Sequence, residues 1–129
     1  MEAKLLNPSV LSFVGDAVYG LLVREKLSAV NRPSGQLHSL SVKLVNAVSQ
    51  ARAFAMIEPE LSEEEIAIFK RGRNFHTGNT PKNATKGEYH TATGLETLFG
   101  FLYLSGQNDR AKELFDIIWN NANDSFTFE

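Results

Sequence analysis

The chain contains no cysteine, and this absence removes several classes of function at once. Disulfide frameworks, zinc–thiolate centres and cysteine nucleophiles all need a thiol, so none of them is available here. No segment approaches the roughly 20 apolar residues of a membrane span. Residues 1–7 carry one lysine and no long apolar run, which does not fit a secretory signal peptide. We therefore expect a cytoplasmic protein with no membrane partner.

The chain also has little net charge, because 13 lysines and arginines nearly balance 15 aspartates and glutamates. A formal net charge of −2 argues against a general binder of polyanions. Nucleic acid is not excluded, because the positive charges are unevenly distributed along the chain. With 129 residues there is room for one domain that buries a core of its own. We predict a single domain over residues 1–129.

Regular alternation of apolar and polar residues, the pattern of a half-buried strand, is missing as well. Apolar residues recur instead at helical spacing, and capping residues, prolines and glycines divide them into segments. The predicted helices begin at Asn7-Pro8, after the Arg32–Gly35 turn, at the Ser62–Glu65 capping box, after a polar loop over 73–88, and after Gly106. The second is either one long helix or two joined near Val45–Asn46. We predict an all-α domain whose first helix is largely buried.

Two acidic residues, Asp16 and Glu96, interrupt the apolar pattern in the middle of two predicted helices. A buried charge is costly unless it is paired or bound to a metal. Gly15 precedes Asp16, and Gly94 and Gly100 flank Glu96, so the two helices can cross closely at their carboxylates. Two hard oxygen ligands at a helix crossing outline a magnesium or manganese site. The alternative is that each acid faces solvent or pairs with a base: Arg24, Arg52 or Lys43.

Positive charge is concentrated in residues 70–90, which we call the basic segment. It holds five of the 13 lysines and arginines and two of the three histidines. Cations on a Gly- and Asn-rich loop suit contacts with a phosphate backbone. An ordinary helix end, whose C-terminal dipole favours cations, explains the same pattern. Phe75 either stacks on a base or anchors the loop, and we favour the anchor. The predicted phosphate contacts are Lys70, Arg71, Arg73, Lys82 and Lys86.

Three segments carry a resemblance to a known family. Phe13-Val-Gly-Asp-Ala-Val-Tyr19 resembles the signature of the ribonuclease III family, and Ala92–Leu104 resembles that family's second metal-ligand helix. Lys70-Arg-Gly-Arg-Asn74, followed by Pro81-Lys-Asn83 and Tyr89, looks like its compact Mini-ribonuclease III branch. The segments occur in order over nearly the whole chain. The chain ends before a double-stranded-RNA-binding domain, as we expect for that branch.

The resemblance implies a ribonuclease III-type helical endonuclease domain that hydrolyses phosphodiesters of double-stranded RNA with Mg²⁺, or with Mn²⁺ in its place. Asp16 and Glu96 carry over as the catalytic acids and metal ligands. The family has further acids at positions that correspond most nearly to Ser9 and Ser12, and another at the position of Thr93. Because these acids are absent here, we expect water and RNA to supply more of the ligands of the metal ion. The resemblance also implies a homodimer, maturation of large-subunit (23S) ribosomal RNA in ribosome biogenesis, and a ribosomal protein on the substrate.

Two other classes of function remain open at this point. The first is a non-catalytic double-stranded-RNA-binding module in ribosome assembly, which would use the same basic segment. In such a module the loss of the family's further acids would mark the loss of catalysis. The second is a helical interaction domain without RNA. Within the first helix, Phe13 and Tyr19 suit a dimer interface and the core equally well.

Overall fold

The computed structural model describes residues 2–75 and 82–122, and these residues form α-helices with no strand. The helices are α1 Pro8–Leu27, α2 Ser34–Val45, α3 Ala47–Ile57, α4 Glu63–Arg73, α5 Lys86–Leu104 and α6 Asn108–Ala122. Short 3-10 turns occupy Ala3–Leu5, Ser28–Val30 and Glu58–Glu60. The predicted all-α class is confirmed. No helix in the described part of the chain is long and apolar enough to cross a membrane.

Side-chain caps explain where the helices begin. The side chain of Asn7 accepts a hydrogen bond from the backbone N–H of Ser9 at 2.9 Å, which caps α1 as predicted. The predicted Ser62–Glu65 capping box opens α4. A second capping box, Thr85 with Glu88, opens α5 at Lys86. The predicted loop over 73–88 was therefore too long at its C-terminal end, and its residues 76–81 lie outside the described residues.

Asn46 divides the predicted second helix into α2 and α3. Its backbone is extended, with φ −70° and ψ 162°, so no continuous helix can run through it. Its side chain accepts from the N–H of Ser49 at 2.9 Å and donates to the carbonyls of Val42 and Lys43 at 3.3 and 3.2 Å. The C-terminal carbonyls of α2 are thus satisfied at this bend. We call residues 42–49 the α2–α3 corner.

Helix α5 forms the centre of the fold and packs against α1, α3 and α4. Its crossing with α1 brings the two backbones into direct contact. A methyl group on Gly15 would overlap the carbonyl of Glu96, and one on Gly100 would overlap the carbonyl of Leu11. Only glycine fits at both positions, and this confirms the close approach predicted from Gly15 and Gly100. Gly94, which was predicted to take part in the same crossing, lies against Phe69 of α4 instead.

Helix α1 is less buried than its apolar pattern predicted. Tyr19 belongs to the core, since it is 2% exposed and its ring meets those of Phe99 and Phe115 edge-on, with centroids 5.3 Å apart in both pairs. Phe13, in contrast, is 80% exposed. The exposed apolar side chains of α1 recur every three or four residues and so share one face, which we call the α1 stripe: Val10, Phe13, Ala17 and Leu21.

Candidate active site

The crossing of α1 and α5 brings the two predicted acids together. Asp16 follows Gly15, whose missing side chain lets α1 lie directly on the backbone of Glu96. The carboxyl groups of Asp16 and Glu96 are then close enough to share a hydrogen bond. Asp16 is exposed to solvent, whereas Glu96 is half-buried behind it. The pair therefore has one carboxylate at the surface and one in the interior.

The surroundings of Glu96 disfavour its charged form. Burial, followed by the negative charge of Asp16 and the hydrogen bond between the two carboxyls, raises the pKa of Glu96 to about 8. A hydrogen bond from Gln50 opposes this shift only in part. Two carboxylates this close repel each other unless a proton or another cation lies between them. The environment of Glu96 without a bound cation therefore favours its protonated form.

Positive side chains do not neutralise the pair. Within residues 2–75 and 82–122, no ion pair involves Asp16 or Glu96, so the alternative pairing with Arg24, Arg52 or Lys43 does not form. The same residues contain no group of three acids, histidines or cysteines that could surround a metal ion.

The positions at which the resemblance implies further acids carry hydroxyls that bond locally. Thr93 donates its hydroxyl to the carbonyl of Tyr89 at 3.0 Å. Ser12 donates to the carbonyl of Ser9 at 3.3 Å, and the Ser9 hydroxyl donates to Asn7. These hydroxyls satisfy the helix backbone or its cap. Asp16 and Glu96 are thus the carboxylates that the described residues bring to this crossing.

A third polar side chain, Gln50 of α3, reaches the site and escaped the sequence analysis. It is 2% exposed. Its amide nitrogen donates to the carbonyl of Val45 at 3.0 Å and to Oε2 of Glu96 at 3.4 Å. The signal was present in the sequence, because Gln50 begins the i, i+3, i+4, i+7 series that forms the buried face of α3 with Ala53, Phe54 and Ile57. A polar residue on such a face needs a partner in the interior.

A groove between α1 and α2 gives access to Asp16. It has a volume of about 330 Å³. Arg24 lines it two turns along α1 from Asp16, and Ser41 of α2 forms part of the opposite wall. One acid and one base therefore face the same groove, and a positive side chain such as Arg24 suits contact with a phosphate group.

The cations predicted to contact phosphate differ in what they already bind. Lys70 at the end of α4, Lys82, and Lys86 at the start of α5 are exposed. Arg73 is half-buried, with its guanidinium 5.8 Å from the centre of the Phe69 ring and a hydrogen bond from Nε to Asn74 at 3.2 Å. The lysines leave their ammonium groups available to a partner in solution.

Arg71 has a different role from its neighbours. Its Nη1 donates to the carbonyl of Lys4 at 2.6 Å, and its Nη2 donates to the carbonyl of Leu6 at 2.7 Å. The guanidinium therefore fastens the N-terminal turn to the end of α4. Phe75, the last described residue of this end, is half-buried, and the choice between an anchor and a stacking residue stays a prediction.

Comparison with known proteins gives one family. Residues 9–107 match the ribonuclease III domain. The chain is 45% identical to a Mini-ribonuclease 3 of Thermoanaerobacter sp. over 113 residues, which cover 87% of this chain and 80% of the relative. It is 37% identical to a Mini-ribonuclease 3 of Clostridium tetani over 121 residues, 92% of this chain and 80% of that protein.

A solved structure shares the fold. A crystal structure of a protein from Fusobacterium nucleatum superposes with a TM-score of 0.78 at 31% sequence identity. The match covers 86% of this chain and 89% of the other. The architecture described above is therefore one that a related sequence adopts in a crystal.

Proposed function

Because the chain belongs to the ribonuclease III family, in its Mini-ribonuclease III branch, we propose that Asp16 and Glu96 bind the divalent ion with which it hydrolyses double-stranded RNA. Enzymes of this family are endonucleases that act on double-stranded RNA and generally use a divalent metal. This membership sets aside the non-catalytic module and the interaction domain. The observation that supports the proposal is the carboxyl pair at the α1–α5 crossing, which no base in the described residues neutralises.

The donor set suits Mg²⁺, with Mn²⁺ as a substitute. Both ions prefer hard oxygen ligands, and Mg²⁺ keeps several of its own water molecules. Two carboxylates and a groove open to solvent supply such a partly hydrated site. When bound, the ion activates the attacking water and offsets the negative charge on the phosphate. With an ion held by the two carboxyls, Glu96 would be in its charged form, because the positive charge would offset both its burial and the charge of Asp16.

The protein's own side chains bind and orient the RNA. Asp16 lies at the surface, where a phosphate in the groove can approach it, and Arg24 adds positive charge on the same wall. We propose that Lys70, Lys82 and Lys86, with Arg73, contact the backbone of a duplex that is recognised mainly by its shape. We set Arg71 apart, because a phosphate contact would compete with its two bonds to backbone carbonyls.

The α1 stripe is the surface proposed for the homodimer. Phe13 and Leu21 are 80% and 63% exposed, more than large apolar side chains usually are. A two-fold axis through this stripe would cover both copies at once and give the dimer two identical sites. Each site would then cut one strand of the same duplex.

The proposed substrate is precursor 23S ribosomal RNA in the cytoplasm, presented with a ribosomal protein that shapes the duplex. Support for this finer statement comes from the Mini-ribonuclease III resemblance of the sequence. The described residues contribute the open groove and the exposed lysines, which suit any RNA duplex.

Cleavage of a duplex RNA in Mg²⁺ tests the proposed site. We expect Asp16→Asn to cut about a thousandfold more slowly than the wild type, because the variant loses a metal ligand but keeps the side-chain volume. Asp109→Asn, which changes an exposed acid at the start of α6, is the matched control and should cut at the wild-type rate. If Asp16→Asn cuts as fast as its control, Asp16 is not a catalytic residue.

Size-exclusion chromatography with light scattering tests the dimer. We expect a wild-type dimer and a Phe13→Asp monomer, because the new charge would be buried between the two stripes. Val42→Asp places the same charge on an exposed apolar residue of α2 outside the stripe and should leave the dimer intact. A dimer that survives Phe13→Asp would contradict the proposed interface.

A further inference from the structure

Gln50 connects two parts of the molecule that lie far apart in sequence. Its amide nitrogen donates both to the carbonyl of Val45, in the α2–α3 corner, and to the Glu96 carboxyl on α5, 46 residues further along the chain. The side chain is 2% exposed, so solvent takes little part in these contacts. The orientation of Glu96 is therefore tied to the corner through one amide group.

The other end of this amide is unsatisfied. Oε1 of Gln50 is buried and has no hydrogen-bond partner within residues 2–75 and 82–122. Buried amide oxygens nearly always accept a hydrogen bond, and leaving one without a partner is unfavourable. Because the two ends of an amide are a fixed short distance apart, this oxygen also lies near the Glu96 carboxyl. The orphaned acceptor is thus part of the same site as the carboxyl pair.

A partly hydrated ion would supply the missing donor. With two carboxylates as protein ligands, most of the coordination of Mg²⁺ comes from water, and each of these waters donates two hydrogen bonds. Such waters need acceptors around the ion, and partners of this kind commonly orient metal sites in proteins. A buried oxygen without a donor beside the carboxyl pair matches that need.

We propose that Gln50 is a positioning residue of the Asp16–Glu96 site: its amide nitrogen holds the Glu96 carboxylate, and its amide oxygen accepts a hydrogen bond from a water in the hydration shell of the bound ion. The proposal rests on the proposed function, because it needs an ion at the carboxyl pair. It assigns no contact with the RNA to Gln50. The metal requirement should therefore change in a Gln50 variant, while the KM for RNA should not.

Mn²⁺ binding to the folded protein, followed by electron paramagnetic resonance, tests this role without relying on activity. Gln50→Met keeps the length of the side chain and removes both polar atoms. We expect its half-saturating Mn²⁺ concentration to rise about tenfold or more. In cleavage assays, kcat at a fixed Mg²⁺ concentration should fall while KM for the duplex stays at the wild-type value.

Ser49→Ala is the matched control for the corner itself. The Ser49 hydroxyl donates to the carbonyl of Lys43 in the same corner, and no hydrogen bond joins this side chain to Glu96. The variant therefore loosens the corner and leaves the amide in place. Its half-saturating Mn²⁺ concentration should equal that of the wild type. An equal weakening in Ser49→Ala and Gln50→Met would show that the corner matters rather than the amide, and would overturn the proposal.

Gln50→Glu provides a second test if Gln50→Met does not fold. It places a third carboxylate beside the pair, so Mn²⁺ should raise its Tm by more than it raises the wild-type Tm. An equal rise would overturn the role of Gln50. If the wild type binds Mn²⁺ and Glu96→Gln does not, while Gln50→Met binds as the wild type does, this inference alone fails. If the wild type and Glu96→Gln bind Mn²⁺ alike, the proposed function fails as well.

Discussion

Two glutamates on neighbouring helices, Glu65 of α4 and Glu96 of α5, have opposite surroundings. Glu65 is 5% exposed and accepts bonds of 2.9 Å from Nε and Nη2 of Arg110 and from the backbone N–H of Ser62. The Arg110 hydrogen bond is the main cause that lowers the pKa of Glu65. Glu96 has no base beside it among the described residues: burial, followed by the charge and hydrogen bond of Asp16, raises its pKa to about 8, and the Gln50 amide opposes this shift only in part.

The difference separates a structural acid, Glu65, from Glu96, the acid proposed to bind a cation. The fold itself supplies the positive charge for Glu65, so this residue joins α4 to α6 and needs nothing from solution. The described part of the fold supplies no positive charge for Glu96, so the unfavourable free energy of placing this carboxyl beside Asp16 is not offset there. Unfavourable interactions of this kind are typical of functional sites, where the free energy of folding is less favourable than it could be and ligand binding compensates.

Replacing Glu96 or Glu65 with glutamine should give the largest difference between the two acids, in cleavage rate and in stability. Glu96→Gln should lower cleavage about a thousandfold, because it removes a proposed metal ligand, and should leave the metal-free fold as stable or more stable. Glu65→Gln should cleave at the wild-type rate per folded molecule but lose about 2–3 kcal/mol of stability, because Arg110 loses its partner. Cleavage rates and urea unfolding measure the two effects. A stable Glu65→Gln with low activity would break the comparison.

The pH dependence of stability should differ between the two acids. The raised pKa of Glu96 means that the folded state keeps a proton that the unfolded chain releases above its usual pKa of 4.5. The stability of the metal-free protein should therefore fall as pH rises from about 4.5 to about 8, by a few kcal/mol in total. Glu65, whose pKa is lowered, stabilises the fold above pH 4.5 and loses that contribution as the solution becomes more acidic.

Urea unfolding at a series of pH values in EDTA measures both windows. Glu96→Gln should flatten the profile between pH 4.5 and 8, and Glu65→Gln should flatten it only on the acid side. A profile that is unchanged above pH 4.5 in Glu96→Gln would contradict the environment described for this carboxyl.

The basic segment contains a similar contrast between Arg71, which is bonded within the fold, and Lys70, which is exposed. The expected effects of substituting them are smaller than those for the two glutamates. Lys70→Ala should weaken RNA binding a few-fold and reduce the slope of log K against log salt by about one, because it removes one phosphate contact. Arg71→Ala should instead lower stability, since its guanidinium holds the carbonyls of Lys4 and Leu6. Filter binding at several salt concentrations and thermal melts check the pair. If the slope for Lys70→Ala equals the wild-type slope, Lys70 does not contact a phosphate.

Local signals in the sequence predicted the helices well, because caps and apolar spacing act within a few residues. Asn7 and Ser62 each begin a helix where the pattern places one, and Asn46 begins α3 at the junction that the pattern gave as one of two alternatives. Thr85 and Glu88 form the same kind of capping box but lie in a stretch of loop-like composition, so the start of α5 was placed too late. The exposed face of α1 was missed because apolar residues surround that helix on nearly every side.

Part of the site could not be predicted from the sequence, because it depends on contacts between residues that lie far apart along the chain. Asp16 and Glu96 were predicted to meet because a charge inside an apolar helix is conspicuous, and the structure brings their carboxyls together. Gln50 carries no charge, and its partner Glu96 lies 46 residues away, so only the packing of α3 on α5 reveals it. Whether Arg71 faces RNA or the backbone likewise depends on carbonyls 65 and 67 residues away.

The most direct test of the carboxyl pair as a metal site is a titration of the metal-free protein with Mn²⁺, followed by electron paramagnetic resonance. We expect the wild type and Glu65→Gln to bind Mn²⁺ equally, because Glu65 already has its cation in Arg110. Glu96→Gln and Asp16→Asn should both lose this binding. Equal binding by the wild type and Glu96→Gln would contradict the assignment of the metal to the α1–α5 crossing.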